Sequence, residues 1–366
     1  MRTKAFLIVG LISACNGGSG DGGESTTSEL TTSGPDGTTV VEGTSSGEAP
    51  TTTIGDPSTT MAMGTSSSGG TTEMETGTSS GEESGTTGPG IDCEDFFDGP
   101  WEPVLWGSSF DGSEDLGFDG LGGLALKKDG GVVVVAADKS ETVLVPDVPT
   151  AYGTRYLGDG RLLVALPQDG KVLAIDGDGV ITDFVTDVEG PNGLYPDLAG
   201  NVWITEFGGS RVIRVAPDLT RTTIAMGGDA AAANGVVYDP NRGLLFYTKY
   251  QAGQIQRVAI DEQGDAGTPE LVVEIPATSL DGLVMDACGY LYVVNQGGDE
   301  LYRVLLDAAG ASTEQPSPMA LFPSNVANAQ FGVGAGFDDH TLYVAGNPGD
   351  VYTLQVEFPG AQIVTP

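Results

Sequence analysis

Apolar and polar residues alternate in short runs through most of the chain, and the runs recur in pairs separated by a turn. In each pair the second run begins ten residues after the first position, and Gly, Asp or Asn residues fill the turn. This pattern is typical of two antiparallel strands joined by a hairpin. Six segments have it: GGLALKKDGGVVVV from Gly122, YGTRYLGDGRLLVA from Tyr152, NGLYPDLAGNVWIT from Asn192, NGVVYDPNRGLLFY from Asn234, DGLVMDACGYLYVV from Asp281 and GVGAGFDDHTLYVA from Gly332.

A third apolar run follows each pair, and four repeats add a fourth run around Phe184, Ile224, Val272 and Leu321. Repeats of three or four antiparallel strands predict an all-β propeller, and six copies predict six blades. The last repeat lacks a fourth run, whereas residues 104–106 precede the first repeat without a partner. We therefore expect this N-terminal strand to complete the sixth blade and close the ring, which leaves no long open edge. The first repeat is short, and we expect its outer strand to be minimal or missing.

Composition divides the chain into residues 1–14, 15–90 and 91–366. Arg2 and Lys4 precede a short apolar run, and Ser13, Ala14 and Cys15 follow it, as in a lipoprotein signal peptide cleaved before a lipidated Cys15. The alternative is an ordinary signal peptide. Residues 15–90 are almost entirely Gly, Ser, Thr, Pro and acidic residues, which cannot form a core and predict a disordered linker. We therefore expect residues 91–366 to form the propeller of an exported bacterial lipoprotein, at the outer membrane, the cell surface or in the periplasm.

The formal net charge of −36 argues against nucleic acid as a partner and limits membrane contact to the lipid anchor. Only 11 of the 51 acidic residues lie in residues 16–90, so most of the excess belongs to the propeller. Such a surface favours cations, although solubility outside the cell explains most of these carboxylates. Of the two other cysteines, Cys93 begins the folded part and Cys288 lies in the fifth repeat. In an oxidising compartment they form either a disulfide or two separate thiols.

The inner strand of each blade lines the channel of a propeller, so the first position of every repeat is expected at one mouth of that channel. Asn192, Asn234 and Asp281 occupy this position in three successive repeats. Together they predict a ring of oxygen ligands of the kind that Ca²⁺ or Mg²⁺ prefers. The alternative is that Asn-Gly and Asp-Gly serve only as turn formers there. The remaining candidates at this mouth are Tyr152, Glu206, Lys249 and Asn295.

The segments NGVVYDPNRGLLFYTKYQAGQIQRVAID and LDGLVMDACGYLYVVNQGGDELYRV resemble the asparagine and aspartate blades of the gluconolactonase, regucalcin and senescence-marker-protein group. The resemblance implies that Asn234 and Asp281 bind a divalent cation, with Ca²⁺ favoured, and that Asp281 is also the general base. It places Asn192 next to the metal and the substrate. It implies a small-molecule lactone or ester as substrate, with Tyr152, Lys249 and Asn295 as further substrate-binding candidates.

Two positions of that group's pattern are not matched in the chain. The first-blade glutamate should fall at Leu121 or Gly122, where there is none, and Asp119 or Glu206 is the candidate replacement. The substrate-binding arginine is replaced by Gly190.

A second segment, GPNGLYPDLAGNVWITEFGGSRVIRV, is similar to blades of streptogramin lyases, whose chemistry relies on a His. The only His of this chain, His340, is predicted in a turn away from the mouth. The sequence therefore favours a metal-dependent lactone or ester hydrolase. The alternative is a non-catalytic propeller that binds a ligand or a protein at the cell surface.

Overall fold

The computed structural model describes residues 91–94, 97, 99–276 and 279–366. The predictions for residues 1–90, including Cys15, lie outside these residues. Within them the chain forms six four-stranded antiparallel sheets, and the inner strands of successive sheets contact one another from blade 1 to blade 6. The molecule is therefore a six-bladed β-propeller, as predicted. No helix in this described part is long and apolar enough to cross a membrane.

Strand β1 (Val104–Gly107) comes first in the chain but belongs to blade 6. Blade 1 contains, from the axis outward, β2 (Gly117–Phe118), β3 (Gly123–Lys128), β4 (Gly131–Ala136) and β5 (Glu141–Val145). Blade 2 contains β6 (Thr154–Tyr156), β7 (Leu162–Leu166), β8 (Lys171–Ile175) and β9 (Ile181–Thr186) in the same order. Blade 3 contains β10 (Pro191–Pro196), β11 (Val202–Glu206), β12 (Arg211–Val215) and β13 (Arg221–Met226).

Blade 4 contains β14 (Ala233–Asp239), β15 (Leu244–Lys249), β16 (Gln254–Ala259) and β17 (Glu270–Glu274). Blade 5 contains β18 (Leu280–Met285), β19 (Leu291–Asn295), β20 (Glu300–Val304) and β21 (Pro318–Leu321). Blade 6 contains β22 (Asn328–Phe331), β23 (Thr341–Ala345), β24 (Val351–Gln355) and then β1. Two short 3-10 helices, Gly227–Ala230 and Tyr250–Ala252, flank β14 and β15.

The N-terminal strand closes the ring as predicted, because β1 pairs antiparallel with β24 on the outer edge of blade 6. The expectation of a reduced first blade is wrong, since that blade has four strands. Its inner strand is β2, and the run that begins at Gly123 is its second strand. This strand has only two residues, both buried, so it is too short to show an alternating pattern in the sequence.

The start of the sixth repeat is also corrected by the structure. Its inner strand is β22, four residues before the predicted start at Gly332. A nine-residue connection, residues 332–340, separates β22 from β23, whereas four or five residues join the first two strands of every other blade. The gapless alignment of the repeats therefore fails in this blade.

Six buried hydrophobic clusters within the described residues hold the blades together, one at each interface between neighbouring blades. Trp203 of blade 3 and Tyr247 of blade 4, for example, belong to one cluster and are both almost inaccessible to solvent. The core therefore forms a ring around the channel. This arrangement keeps the inner strands at a fixed distance from the axis.

The C-terminal segment crosses the lower end of the channel, defined here as the end where the inner strands finish. The amide of Ala361 donates to the carbonyl of Met285 at 3.0 Å. Ile363 and Val364 then line an apolar space with Phe118, Tyr195 and other residues from the ends of inner strands. The chain ends at Pro366 on the far side of this opening, next to Gly160.

A disulfide joins Cys93, ahead of β1, to Cys288 in the turn between β18 and β19, with 5.7 Å between the two Cα atoms. The hydroxyl of Tyr290 also donates to the carbonyl of Cys93 at 3.0 Å. The N-terminal segment is therefore attached to blade 5 before it reaches the outer edge of blade 6.

Candidate active site

Three inner strands start with a polar side chain followed by a glycine, at Asn192, Asn234 and Asp281. The glycines are needed because the blades approach closely here. A Cβ atom on Gly193 would overlap the carbonyl oxygen of Asn234, and one on Gly235 would overlap that of Asp281. The three polar residues therefore occupy equivalent positions in successive blades.

Two threonines fix the backbone at these positions by hydrogen bonds between blades. The Thr205 hydroxyl accepts from the Gly193 amide at 2.8 Å and donates to the carbonyl of Asn234. The Thr248 hydroxyl accepts from the Gly235 amide at 2.8 Å and donates to the carbonyl of Asp281 at 2.9 Å. Each second strand thus positions the polar residue of the following blade.

Blade 1 contributes Glu114, from the segment that leads into β2. Its two neighbours in the chain are both fixed: the Ser113 hydroxyl accepts from the Lys127 amide at 2.9 Å, and the Asp115 carboxylate accepts from the Thr154 amide at 2.8 Å. The charge of Glu114 is felt by Asp281 across the channel. Glu114 is therefore an acidic residue of blade 1 close to Asp281, whereas sequence analysis sought one at Leu121 or Gly122.

Sequence reasoning missed Glu114 because it assigned the inner strand of blade 1 one strand too late. The available signal was the acidic pair Glu114 and Asp115 directly before the short apolar stretch of residues 116–118. Asn328 was missed for a similar reason, since blade 6 begins earlier than predicted. Its side chain lies against Gly282 of blade 5, and its amide oxygen accepts from the Ala329 amide at 2.9 Å.

The carboxylates at the mouth repel one another in a buried setting. Burial and the negative charge of Asp115 raise the pKa of Glu114 to about 7. Burial, followed by the charges of Glu114 and Asp115, raises the pKa of Asp281 well above its usual range, and a hydrogen bond with the Asn234 side chain opposes this rise. A cation bound between Glu114 and Asp281 would offset the repulsion.

Two oxygen atoms of this set are buried and have no hydrogen-bond partner, Oδ1 of Asn234 and Oδ2 of Asp281. Buried oxygens in proteins are normally paired, so these two require a ligand or a water. The described residues contain no group of three or more His, Cys, Asp or Glu side chains that could hold a metal. The set here instead has two carboxylates and an amide, a combination of hard oxygen donors that suits Ca²⁺ or Mg²⁺.

Aromatic side chains surround the carboxylate pair. Burial raises the pKa of both Tyr152 and Tyr250, and the charges of Glu114 and Asp281 raise it further, which places both phenols near the pair. The Tyr250 hydroxyl donates to Oε1 of Gln296 at 2.5 Å. The Phe207 ring meets Tyr250 edge-on, with 5.6 Å between ring centroids. The mouth therefore has aromatic walls with polar groups at their edges.

The structure does not bring Asp119 to this site. One of its carboxylate oxygens accepts from the amides of Leu121 and Gly123, at 2.7 and 2.8 Å, in the turn between β2 and β3. This turn follows the inner strand, so it lies at the other end of the blade from Glu114. Gly122 and Gly332, which were predicted at the mouth, also follow inner strands and lie near this end.

The remaining candidates lie where second strands end at the mouth. Glu206 is buried, and its Oε2 accepts from the Glu189 amide at 2.8 Å and from Arg211 at 2.6 Å. Asn295 is buried and donates to Glu300 at 2.8 Å. Lys249 is half-buried at the end of β15, opposite Ala233. Asn192 is buried at the start of blade 3, beside Gly153 of blade 2.

No protein-family model matches the chain. A pentonolactonase from Haloferax volcanii is 28% identical over 210 residues, which are 54% of this chain and 68% of that protein. Two solved structures have the same fold. A gluconolactonase from Xanthomonas campestris has a TM-score of 0.59 at 18% identity and matches 70% of this chain and 90% of its own. Regucalcin from Agrobacterium tumefaciens, described as a calcium-binding protein, has a TM-score of 0.57 at 19% identity and matches 71% and 97%.

The similarity to these proteins extends further in the fold than in the sequence. Sequence similarity alone covers about half of the chain, whereas the shared six-bladed architecture extends over most of the propeller. At the mouth, Glu114, Asn234 and Asp281 provide two carboxylates and an amide. The chain therefore shares the propeller fold of these gluconolactonase and regucalcin structures, and part of its sequence is similar to a pentonolactonase.

Proposed function

We propose that this protein is a lactone hydrolase that depends on a divalent cation and acts at the mouth of its propeller channel. The observation that carries the proposal is the set of Glu114, Asn234 and Asp281, in which two buried oxygens lack partners. The lactonase names of relatives support the reaction class, and the calcium-binding description of regucalcin supports the cation.

Glu114, Asn234 and Asp281 would hold the cation, with Asn192 next to them in blade 3. When bound, a divalent cation polarises the carbonyl group of the lactone. Asp281 is positioned to accept a proton from the water molecule that attacks the carbonyl carbon. When the ring C–O bond then breaks, Asp281 returns that proton to the leaving oxygen. The product is the corresponding hydroxy acid.

The aromatic walls and their polar edges fit a small ring-shaped substrate. Tyr152 and Tyr250 offer hydroxyl groups near the reacting position, and the Phe207 ring offers an apolar surface. Small lactones and esters of this kind are the substrates we propose.

We further propose that the protein works outside the cytoplasm, held to a membrane by a lipid on Cys15. The disulfide between Cys93 and Cys288 supports export, because disulfides persist mainly in oxidising compartments. The acidic composition supports a small-molecule partner rather than nucleic acid.

The proposal is tested by assaying aldonolactones and small aryl esters with the purified protein, in Ca²⁺, in Mg²⁺ and in excess chelator. We expect hydrolysis that disappears in chelator and returns with the cation. Because a positioned general base contributes roughly 10²–10⁴-fold, Asp281→Asn should lose about that much activity. Glu114→Gln should raise the cation concentration needed for half-maximal activity.

Asp119→Asn is the matched control, since it removes an acidic residue of blade 1 at the other end of the channel. It should leave both activity and cation dependence unchanged. Hydrolysis that persists in chelator would contradict the metal requirement. Cation binding without turnover of any lactone or ester would favour the alternative, a propeller that binds a ligand at the cell surface.

A further inference from the structure

A buried arginine joins blades 1 and 2 beside the carboxylates of the mouth. Arg155 lies in β6 and is only 9% exposed. Its Nη1 donates to the Asp115 carboxylate, to the carbonyl of Leu116 at 2.9 Å and to that of Thr154 at 2.7 Å. The guanidinium therefore binds the segment that carries Glu114 as well as its own strand.

The same guanidinium also reaches blade 6. With its side-chain amide oxygen turned toward Arg155, Gln330 of β22 accepts from Nη1 at 3.0 Å and from Nη2 at 3.1 Å. A planar guanidinium can serve several acceptors at once in a fixed geometry, which a lysine ammonium cannot reproduce. Arg155 thus connects three blades across the channel.

We propose that Arg155 is a positioning residue that holds Glu114 in place for cation binding, an inference that rests on the proposed function of the mouth. Glu114 needs such support because its segment precedes β2, and β2 pairs with β3 through only two residue pairs. The neighbouring Asp115 is the anchor of this segment. Its Oδ2 is held by Arg155 and by the amide of Thr154, both from blade 2.

A single substitution of Arg155 would change two properties together. It would release the segment, and it would leave the buried Asp115 carboxylate without a counter-charge next to the site. The extra negative charge would attract a cation while the lost anchor weakened its binding. The double variant Arg155→Met with Asp115→Asn removes one charge of each sign, so it isolates the effect of position.

A matched control pair lies elsewhere in the molecule. Arg242 donates to Asp239 at 2.5 Å, and the Asp239 side chain is 1% exposed. This pair lies in the turn after β14, at the lower end of blade 4. The double variant Arg242→Met with Asp239→Asn therefore removes a comparable buried ion pair far from the mouth.

The test is calorimetric titration of the full chain with Ca²⁺ alone, with the melting temperature of each variant measured in parallel. Loss of a residue that orients a metal ligand typically weakens binding by about 10–100-fold, so we expect a loss in this range for the Arg155 and Asp115 double variant. The Arg242 and Asp239 control should lower the melting temperature without changing Ca²⁺ affinity. Gln330→Leu, which leaves the Arg155–Asp115 pair intact, should weaken Ca²⁺ binding by a smaller factor.

Unchanged Ca²⁺ affinity in the Arg155 and Asp115 double variant would overturn the proposal, as would an equal loss in the control. If that double variant does not fold, Gln330→Leu decides, and unchanged affinity there overturns the proposal. A parent protein that binds no Ca²⁺ would overturn both this inference and the cation requirement of the proposed function. Ca²⁺ binding that responds to Arg155, in a protein that opens no lactone, would overturn only the proposed function.

Discussion

Buried acidic residues in this protein differ in what balances their charge. Asp115 has Arg155, whereas Glu114 and Asp281 face each other. Asp286 is stabilised by neutral donors, because its carboxylate accepts from the amides of Cys288 and Tyr290, both at 2.9 Å, and from the Tyr292 hydroxyl at 3.1 Å. Burial nevertheless raises the pKa of Asp286 to about 6.

The raised pKa of Asp286 predicts a pH-dependent contribution to stability. Between the ordinary pKa of about 4 and the folded value of about 6, the native state holds more protons than the unfolded state, so this group lowers stability as the pH rises. Two pKa units correspond to about 3 kcal/mol. The Asp286→Asn variant lacks this term and can still accept the two backbone hydrogen bonds. Urea unfolding of both proteins from pH 4 to pH 7 should show the parent losing stability relative to the variant.

In that comparison the other carboxylates titrate alike in both proteins, so their effect cancels in the difference. Parallel stability curves across this pH range would show that the folded pKa of Asp286 is not raised.

Some residues of the mouth could be predicted from the sequence, and others could not. Asn234 and Asp281 could be found because each stands before a glycine at the start of an alternating strand. Glu114 could not be found in this way, because the strand that follows it has only two residues. Its role depends on the Asp115 contacts with blade 2, which join residues about forty positions apart.

At the scale of strands and blades, the repeat pattern predicts the elements wherever the inner strand is long enough to show it and a tight turn follows. This condition holds for blades 2 to 5, whose strands agree with the predicted runs. It fails in blade 1, where the inner strand has only two residues, and in blade 6, where a nine-residue connection replaces the turn. The closing strand β1 was predictable because the strand count of the last repeat left one place empty.

The attachment of the N-terminal segment predicts a stability effect of the disulfide. The Cys93→Ser, Cys288→Ser double variant removes a cross-link between residues 195 positions apart. Loss of a native disulfide usually destabilises a protein by about 2–5 kcal/mol, and we expect a loss in this range. Chemical denaturation of the parent, the reduced parent and the double variant measures it.

The reduced parent is the internal control for the serine substitutions, and it should match the double variant. Peptide mapping without reductant should also recover Cys93 linked to Cys288. A parent whose unfolding midpoint does not respond to reductant would argue against the cross-link.

For the molecule as a whole, hydrophobic burial is organised around the ring while the acidic excess remains on its surface. Forty of the 51 acidic residues lie in residues 91–366, since the other 11 lie in residues 16–90. The number of blades and the manner of closure followed from repeat counting. The course of the C-terminal segment did not, because residues 361–366 form no strand and carry no repeat signal.

The export proposal predicts where the full chain is found in a bacterial host. The parent should be recovered in the membrane fraction, and Cys15→Ser should move to the soluble exported fraction because it lacks the lipidated thiol. Cys288→Ser is the matched control, since it removes a cysteine that is not a lipid site and should stay with membranes. Equal membrane retention of the Cys15→Ser protein would contradict lipid anchoring.

Ile363 and Val364 line the lower opening, which affects how small molecules could enter and leave the channel. A propeller axis open at both ends would let reactant arrive from one side while product departs from the other. Where Ile363 and Val364 narrow the lower end, reactant and product would share the path past Tyr152 and Tyr250. Under the proposed function, a hydroxy acid formed at the mouth would leave against the incoming lactone, and accumulated product would compete with fresh substrate for the same passage.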